Sequence, residues 1–281
     1  MAEAKAFARS WEEAIDILRR DPVHRQLIQD AYLTSDLTEN CRRFAASTEF
    51  AETLRLIRIY QPRAHDILDI PAGNGIATVA LVKAGFNVVA VEPDPSEAVG
   101  RGAIAACLAT EHLDTRIVDA FGEKLPFDAG SFDVVYVRQG LHHAQDLNAM
   151  VGEYARVLRP GGLLLGCREH VVEDYGASLQ AFLDAQPDHQ LYGGEHAFTL
   201  PDYRAAFAKA GFRLVEEIGP YDSSINLHPN TLESLAEKIC QSAPGRILRL
   251  VLPKFLVARL GMWQLKRSKR PGRLYSFVAI V

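Results

Sequence analysis

Three carboxylates in the first half of the chain are spaced as if to grip one ligand. Asp69 ends "ILD" just before the stretch "IPAGNGIAT", Glu92 ends "VVAVE", and Asp119 ends "RIVD". Gly73 and Gly75 let a strand-to-helix turn bring backbone N–H groups close to a ligand. Pro71 stands where many such loops carry their first glycine and has no N–H to offer, so contacts are expected to begin at Ala72 or Gly73. A carboxylate at Asp69 suits an amine or the loop amides. One at Glu92 can take both hydroxyls of a ribose. Asp119 can meet an adenine amino group, with the Ala120 N–H directed at a ring nitrogen.

Histidines supply the candidate acid–base chemistry, because imidazole exchanges a proton near neutral pH and a hydroxyl acceptor usually needs a base. "CREHVVEDY" places Arg168, Glu169 and His170 at the end of a strand, and His170 oriented by Glu169 is the leading catalytic assignment. "RQGLHHAQD" adds His143 as a second catalytic candidate and His142 as a pocket residue. "DHQLYGGEHAFTL" offers His189, Tyr192, Glu195 and His196 to a substrate, with Gly193 and Gly194 allowing a tight turn that aims them inward. Such a mixture also suits a metal. No paired-histidine helical spacing or carboxylate motif supports one, so no metal is assigned.

These residues need a scaffold that ends many strands along one edge. Apolar strands "DILDI", "NVVAVEP", "DTRIVDA", "SFDVVYVRQG", "LLLGCRE", "FRLVEEIG" and "RLYSFVAIV" alternate with helical stretches such as "GIATVALVKAG" and "DLNAMVGEYARVL". The alternation predicts an α/β, doubly wound, mostly parallel sheet covered on both faces. Residues 1–62 read as an N-terminal helical cap, with Trp11, Ala14, Ile15 and Leu18 on one face of the first helix. Residues 63–220 form the cofactor-binding core, interrupted by an insertion at 171–199. Residues 221–272 form a second, basic helical insertion or cap, and 273–281 the last strand. Connections this long usually carry function, and both leave strand ends, where open α/β sheets bind ligands.

A ligand with an amino-acid end, a ribose and an adenine is S-adenosylmethionine. "LDIPAGNG", "VVAVEPDP", "VDAFGEKLPFDAGSFDVVYVRQGLHHAQD" and "LNAMVGEYARVLRPGGLLL" resemble the motifs of the class I methyltransferases that use this cofactor, within their small-molecule group. The resemblance covers roughly Ala64 to Ile218. It implies a seven-stranded Rossmann-like sheet whose last strand runs antiparallel beside the fifth, and it brings Pro93, Arg138 and Gln139 into the cofactor pocket with Asp69, Ala72, Gly73, Gly75, Glu92, Asp119 and Ala120. Pro71 departs from the family's glycine pattern. The rival is NAD, since Glu92 follows Gly73 by about the dinucleotide spacing; Thr78 in place of the third glycine and the unexplained Asp69 and Asp119 argue against it.

Composition bounds the rest. At 281 residues and 48% hydrophobic, the chain is expected to fold and to be cytoplasmic; its four cysteines are scattered and show no zinc or disulfide framework. The first residues do not read as a secretory signal, and no apolar run is long enough to span a bilayer. From Lys238 to Val281 lie ten of the 31 basic residues and none of the 35 acidic ones. That asymmetry points to an anionic partner such as a membrane surface; a cap over the acceptor or a homodimer contact are the other roles for this segment. A nucleic-acid module is not recognisable. The expected activity is methyl transfer to a small molecule or glycolipid, with oxygen the leading acceptor atom. A non-catalytic adenosyl-ligand-binding protein recruited to a membrane is the alternative.

Overall fold

The computed structural model describes residues 9–281. Eight strands form one sheet: β1 (Asp66–Asp69), β2 (Asn87–Val91), β3 (Arg116–Val118), β4 (Phe132–Arg138), β5 (Leu158–Val172), β6 (Phe198–Thr199), β7 (Arg213–Ile218) and β8 (Arg273–Ile280). Their order is β3-β2-β1-β4-β5-β8-β7, with β8 antiparallel to both neighbours. The seven expected strands are all present, and the last lies beside the fifth. The addition is β6, two residues that pair parallel with Val171 and Val172 of β5. β5 runs on past the "CRE" at which its strand signal faded, because β6 and β8 supply partners for its far end.

Alternation along the strands feeds two cores. Ile67, Val88, Val134, Tyr136 and Leu165 point to one face, and Leu68, Val91, Val135, Val137 and Leu164 to the other. The expected N-terminal cap divides. Helices Leu37–Ala45 and Thr48–Tyr60 put Phe44, Phe50, Leu56 and Ile57 into the first core. Helix Trp11–Arg20, started by a Ser10–Glu13 capping box, buries Ile15 and Leu18 in a separate cluster with Ile28 and Val99.

The 171–199 insertion folds into helices Ala177–Asp184 and Pro187–Leu191 before reaching β6. Its Leu191 joins the cluster of the first helix, and its Tyr192 ring lies 5.7 Å from that of Trp11. The two segments therefore meet beside the strand end of β2. The 221–272 insertion carries helices Leu232–Gln241, Ala243–Leu248 and Lys254–Lys266.

Candidate active site

The loop after β1 is built from its own amides. The Ala72 N–H donates to Val91 O at 2.9 Å, so Ala72 spends its donor on the sheet. Gly73, at φ +53°, donates its N–H to Glu92 Oε2 at 2.7 Å. Gly75 caps the following helix at φ +84°, with Ile104 Cα 3.1 Å from where a Cβ would sit, a position only glycine fills without displacement. Pro71 donates nothing, as expected. Its ring fills the space over Gly140, where a Cβ would stand 2.2 Å from Pro71 Cδ.

Asp69 is fully buried. One oxygen accepts from the Thr78 hydroxyl at 2.6 Å, and Oδ1 has no partner. An unpaired acceptor at that depth is costly unless a ligand donor completes it, and a ligand ammonium supplies one. Burial pushes the carboxyls of Asp69 and Glu92 up to about 7 each. Asp69, with its open oxygen, is placed to ionise against a ligand ammonium, and Glu92, whose two oxygens accept from the N–H groups of Gly73 and Asp94, to meet ribose hydroxyls, a pairing that fits S-adenosylmethionine. Asp119 lies exposed at the end of β3 and pairs with Arg101 at 3.0 Å. Arg101 also donates to the carbonyls of Glu92 and Pro93, tying two strand ends together. Sequence reasoning missed Arg101; its place in the first turn of the helix after β2 was the available signal. Ala120, the next residue, is half-buried.

The acid–base group differs from the one expected. Glu169 does not orient His170. Its carboxylate accepts from His142 at Nδ1 (2.7 Å) and from the N–H groups of Gly140 (3.0 Å) and His142 (3.1 Å). His170 instead sets its Nδ1 on Gly272 O at 2.9 Å, and burial lowers its pKa to about 3. The cause is a break in alternation: Arg168 sits at φ +61°, and the β5–β8 register shifts between Gly166 and Glu169. Glu169 is thereby turned to the His142 side, and Arg168 to the opposite one. Burial keeps His142 neutral and pushes Glu169 up to about 6.

The insertion closes over this pair. His142 Nε2 faces a Glu195 oxygen at 3.8 Å, and His143 Nε2 faces the other at 3.9 Å, while His143 Nδ1 lies 3.0 Å from Gly194 O. Gly193 and Gly194 are at φ +82° and +81°, so the tight turn that aims Glu195 inward is present. Burial, then the neighbouring Asp188, raises Glu195 to about 8. His196 stands between Phe198 and Tyr175, and His189 lies half-buried on helix Pro187–Leu191. His142, His143 and Glu195 have donor atoms within 4.8 Å of one another, a set the sequence reading, which assigned no metal, did not assemble.

Arg138, expected in the cofactor pocket, is committed elsewhere. Its Nε donates to Glu49 at 2.6 Å, its Nη1 to Gln139 Oε1 at 3.0 Å, and its guanidinium lies over the rings of Phe44 and Tyr32. Any cofactor contact from Arg138 is left to its backbone. Gln139 adopts φ +52° at the turn after β4. Glu49, wholly buried, also faces Arg168 at 3.7 Å. Burial alone would raise its carboxyl, but the two arginines hold it below the usual range. This cluster pins the helical N-terminal segment to the sheet edge, and nothing local in the sequence marks it.

Sheet order, glycine loop and strand-end acids define a class I S-adenosylmethionine-dependent methyltransferase, and this chain belongs to that family. Residues 68–166 match the family described as "Methyltransferase domain". The chain is 30% identical over 211 residues to 27-O-demethylrifamycin SV methyltransferase of Amycolatopsis mediterranei, covering 72% of this chain and 75% of that one. It is 32% identical over 158 residues to demethylmenaquinone methyltransferase of Mycolicibacterium gilvum, a match that takes in 50% of this chain and only 64% of the relative's length. Among solved structures, geranyl diphosphate C-methyltransferase of Streptomyces coelicolor A3(2) superposes with a TM-score of 0.56 at 16% identity over 98% of each chain, a likeness of fold alone. The dinucleotide reading finds no support among these relatives.

Proposed function

We propose that this protein transfers a methyl group to a hydroxyl oxygen of a small-molecule or glycolipid acceptor. The observation that carries the reading is the buried Glu169–His142 pair at the edge where the 171–199 insertion closes over the sheet. Asp69 would hold the ammonium of S-adenosylmethionine, Glu92 its ribose and Asp119 its adenine end, and the bound cofactor would supply an electrophilic methyl group. Glu169 accepts the His142 Nδ1–H and so leaves Nε2 with its lone pair free to take a proton. The acceptor hydroxyl would give that proton to His142 Nε2 as its oxygen takes the methyl group, the S–CH3 bond breaking to leave the neutral thioether S-adenosylhomocysteine, and the Glu169 carboxylate would stabilise the imidazolium formed. His143 and Glu195 line the acceptor side. Otherwise the protein's part is positioning.

The test is turnover of purified protein with S-adenosylmethionine and a panel of hydroxylated acceptors, reading S-adenosylhomocysteine release and the methylated atom by mass spectrometry. An O-methyl product lost in His142→Ala supports the reading. A methyl group on carbon or nitrogen, or full turnover in His142→Ala, overturns it. Cofactor binding without turnover on any acceptor would favour a non-catalytic binding protein.

A further inference from the structure

The chain's exposed apolar residues are concentrated in one place. Of fifteen large hydrophobic side chains exposed among the described residues, seven fall between Ile247 and Trp263. Leu250 is 83% exposed, Val251 78%, Phe255 69% and Ile247 67%. The segment is nonetheless folded. Val257 and Cys240 are buried, and a Cβ at Gly261 would come within 2.3 Å of Ile239, so helices Leu232–Gln241 and Lys254–Lys266 pack closely. The inward face is thus occupied, and the outward apolar face is left over. Leu252, Leu256, Leu260 and Trp263 line one apolar depression on that face, and an exposed apolar surface of this kind marks an interaction site.

Charge selects the occupant. No acidic residue lies between Lys238 and the last residue, Val281. Arg246, Arg249, Arg259 and Arg270 form no salt bridge among the described residues, and Arg267 lies over the Trp263 ring at 3.9 Å. Lys254 and Lys266 are neutralised by Glu237 and Asp222, so the arginines carry the free charge. Leucine, valine, phenylalanine and tryptophan interleaved with unpaired arginine is the composition of an interfacial helix on anionic lipid. A second copy of this chain would bring the same positive charge against itself.

We propose that residues 243–270 dock on an anionic membrane surface, inserting Leu250, Val251, Phe255 and Trp263 at the headgroup boundary while Arg246, Arg249, Arg259 and Arg270 meet lipid phosphates. No helix among the described residues is long and apolar enough to cross a membrane, so the contact is peripheral. The insertion leaves the carboxyl end of β7 and returns into β8 where Gly272 O meets His170, so the docking face belongs to the sheet end that carries the histidine cluster. The binding itself does not rest on the proposed chemistry.

Flotation with vesicles tests it, using phosphatidylglycerol/phosphatidylcholine mixtures against phosphatidylcholine alone. The full chain is expected to float with the anionic vesicles and not with the neutral ones, and the bound fraction to fall at least tenfold when salt is raised to 0.5 M. Leu250→Asp combined with Phe255→Asp is expected to abolish flotation while S-adenosylmethionine affinity stays at the wild-type value. Trp263 and Trp11 are the only tryptophans, so in Trp11→Phe protein an emission blue-shift on anionic vesicles reports Trp263 directly. No flotation on anionic vesicles, or flotation unchanged in the double variant, overturns the proposal. So does a dimer by light scattering that Leu250→Asp converts to monomer, because a second copy then covers the face.

Discussion

Glu169 and His142 lie 27 residues apart and meet at 2.7 Å, both wholly or almost wholly buried. His142→Ala is expected to lower kcat by about 10²–10⁴-fold, the range for loss of a general base, with cofactor affinity unchanged. Glu169→Gln keeps the shape but removes the charge, and is expected to lower kcat by a smaller factor than His142→Ala. His170→Phe, whose imidazole is set on Gly272 O, is expected to leave kcat near wild type. Steady-state kinetics of the three variants decide between the two histidines; a collapse confined to His170→Phe would return the role to His170.

Cofactor affinity should depend on pH through Asp69 and Glu92. Burial raises both carboxyls to about 7, and the cofactor's ammonium binds the ionised Asp69 and its ribose hydroxyls the ionised Glu92. The sign follows: below 7 protons must leave for the ligand to bind, so affinity rises with pH and levels off above about 8. The slope below 7 approaches about tenfold per unit for each coupled carboxyl. Calorimetry from pH 5.5 to 8.5 measures it, and Asp69→Asn should flatten the profile as well as weaken binding. A flat wild-type profile would mean that neither carboxylate meets the cofactor in its ionised form.

The Glu49 cluster should be a stability determinant rather than a catalytic one. Removing Glu49 leaves Arg138 and Arg168 buried without their carboxylate. Glu49→Ala is expected to cost about 3–5 kcal/mol, the usual penalty for breaking a buried ion pair from one side. Urea denaturation gives the value; a loss under about 1 kcal/mol would show that water relieves the two guanidinium groups.

Pro71 and Gly140 should be coupled. A methyl group at position 140 would overlap the Pro71 ring, so Gly140→Ala is expected to destabilise by about 1–3 kcal/mol, as overpacking does. In Pro71→Gly/Gly140→Ala the ring is gone and part of that loss should return, seen as a favourable coupling in a double-mutant cycle. Strict additivity would place the strain elsewhere.

Dialysis against a chelator should leave turnover unchanged if His142 Nε2 serves as a base. Activity lost to chelation and restored by a divalent ion would assign His142, His143 and Glu195 to a metal instead.

Sequence alone determined the parts governed by near neighbours. Strand and helix alternation, the Gly73–Gly75 turn and acids at three successive strand ends follow from side-chain periodicity and backbone freedom, and those signals are local. The same locality places Asp69, Glu92 and Asp119 on one edge. Tertiary structure decided which groups face one another. A left-handed backbone at Arg168 and a shifted β5–β8 register turned Glu169 toward His142, and strict alternation along "CREHVV" could not foresee either, since both depend on a strand from the far end of the chain. Glu49 and Arg138 are likewise 89 residues apart, and Trp11 meets Tyr192 across most of the sequence. Such pairs are set by packing of whole elements, whose energies are sums over many contacts that no short window of sequence contains.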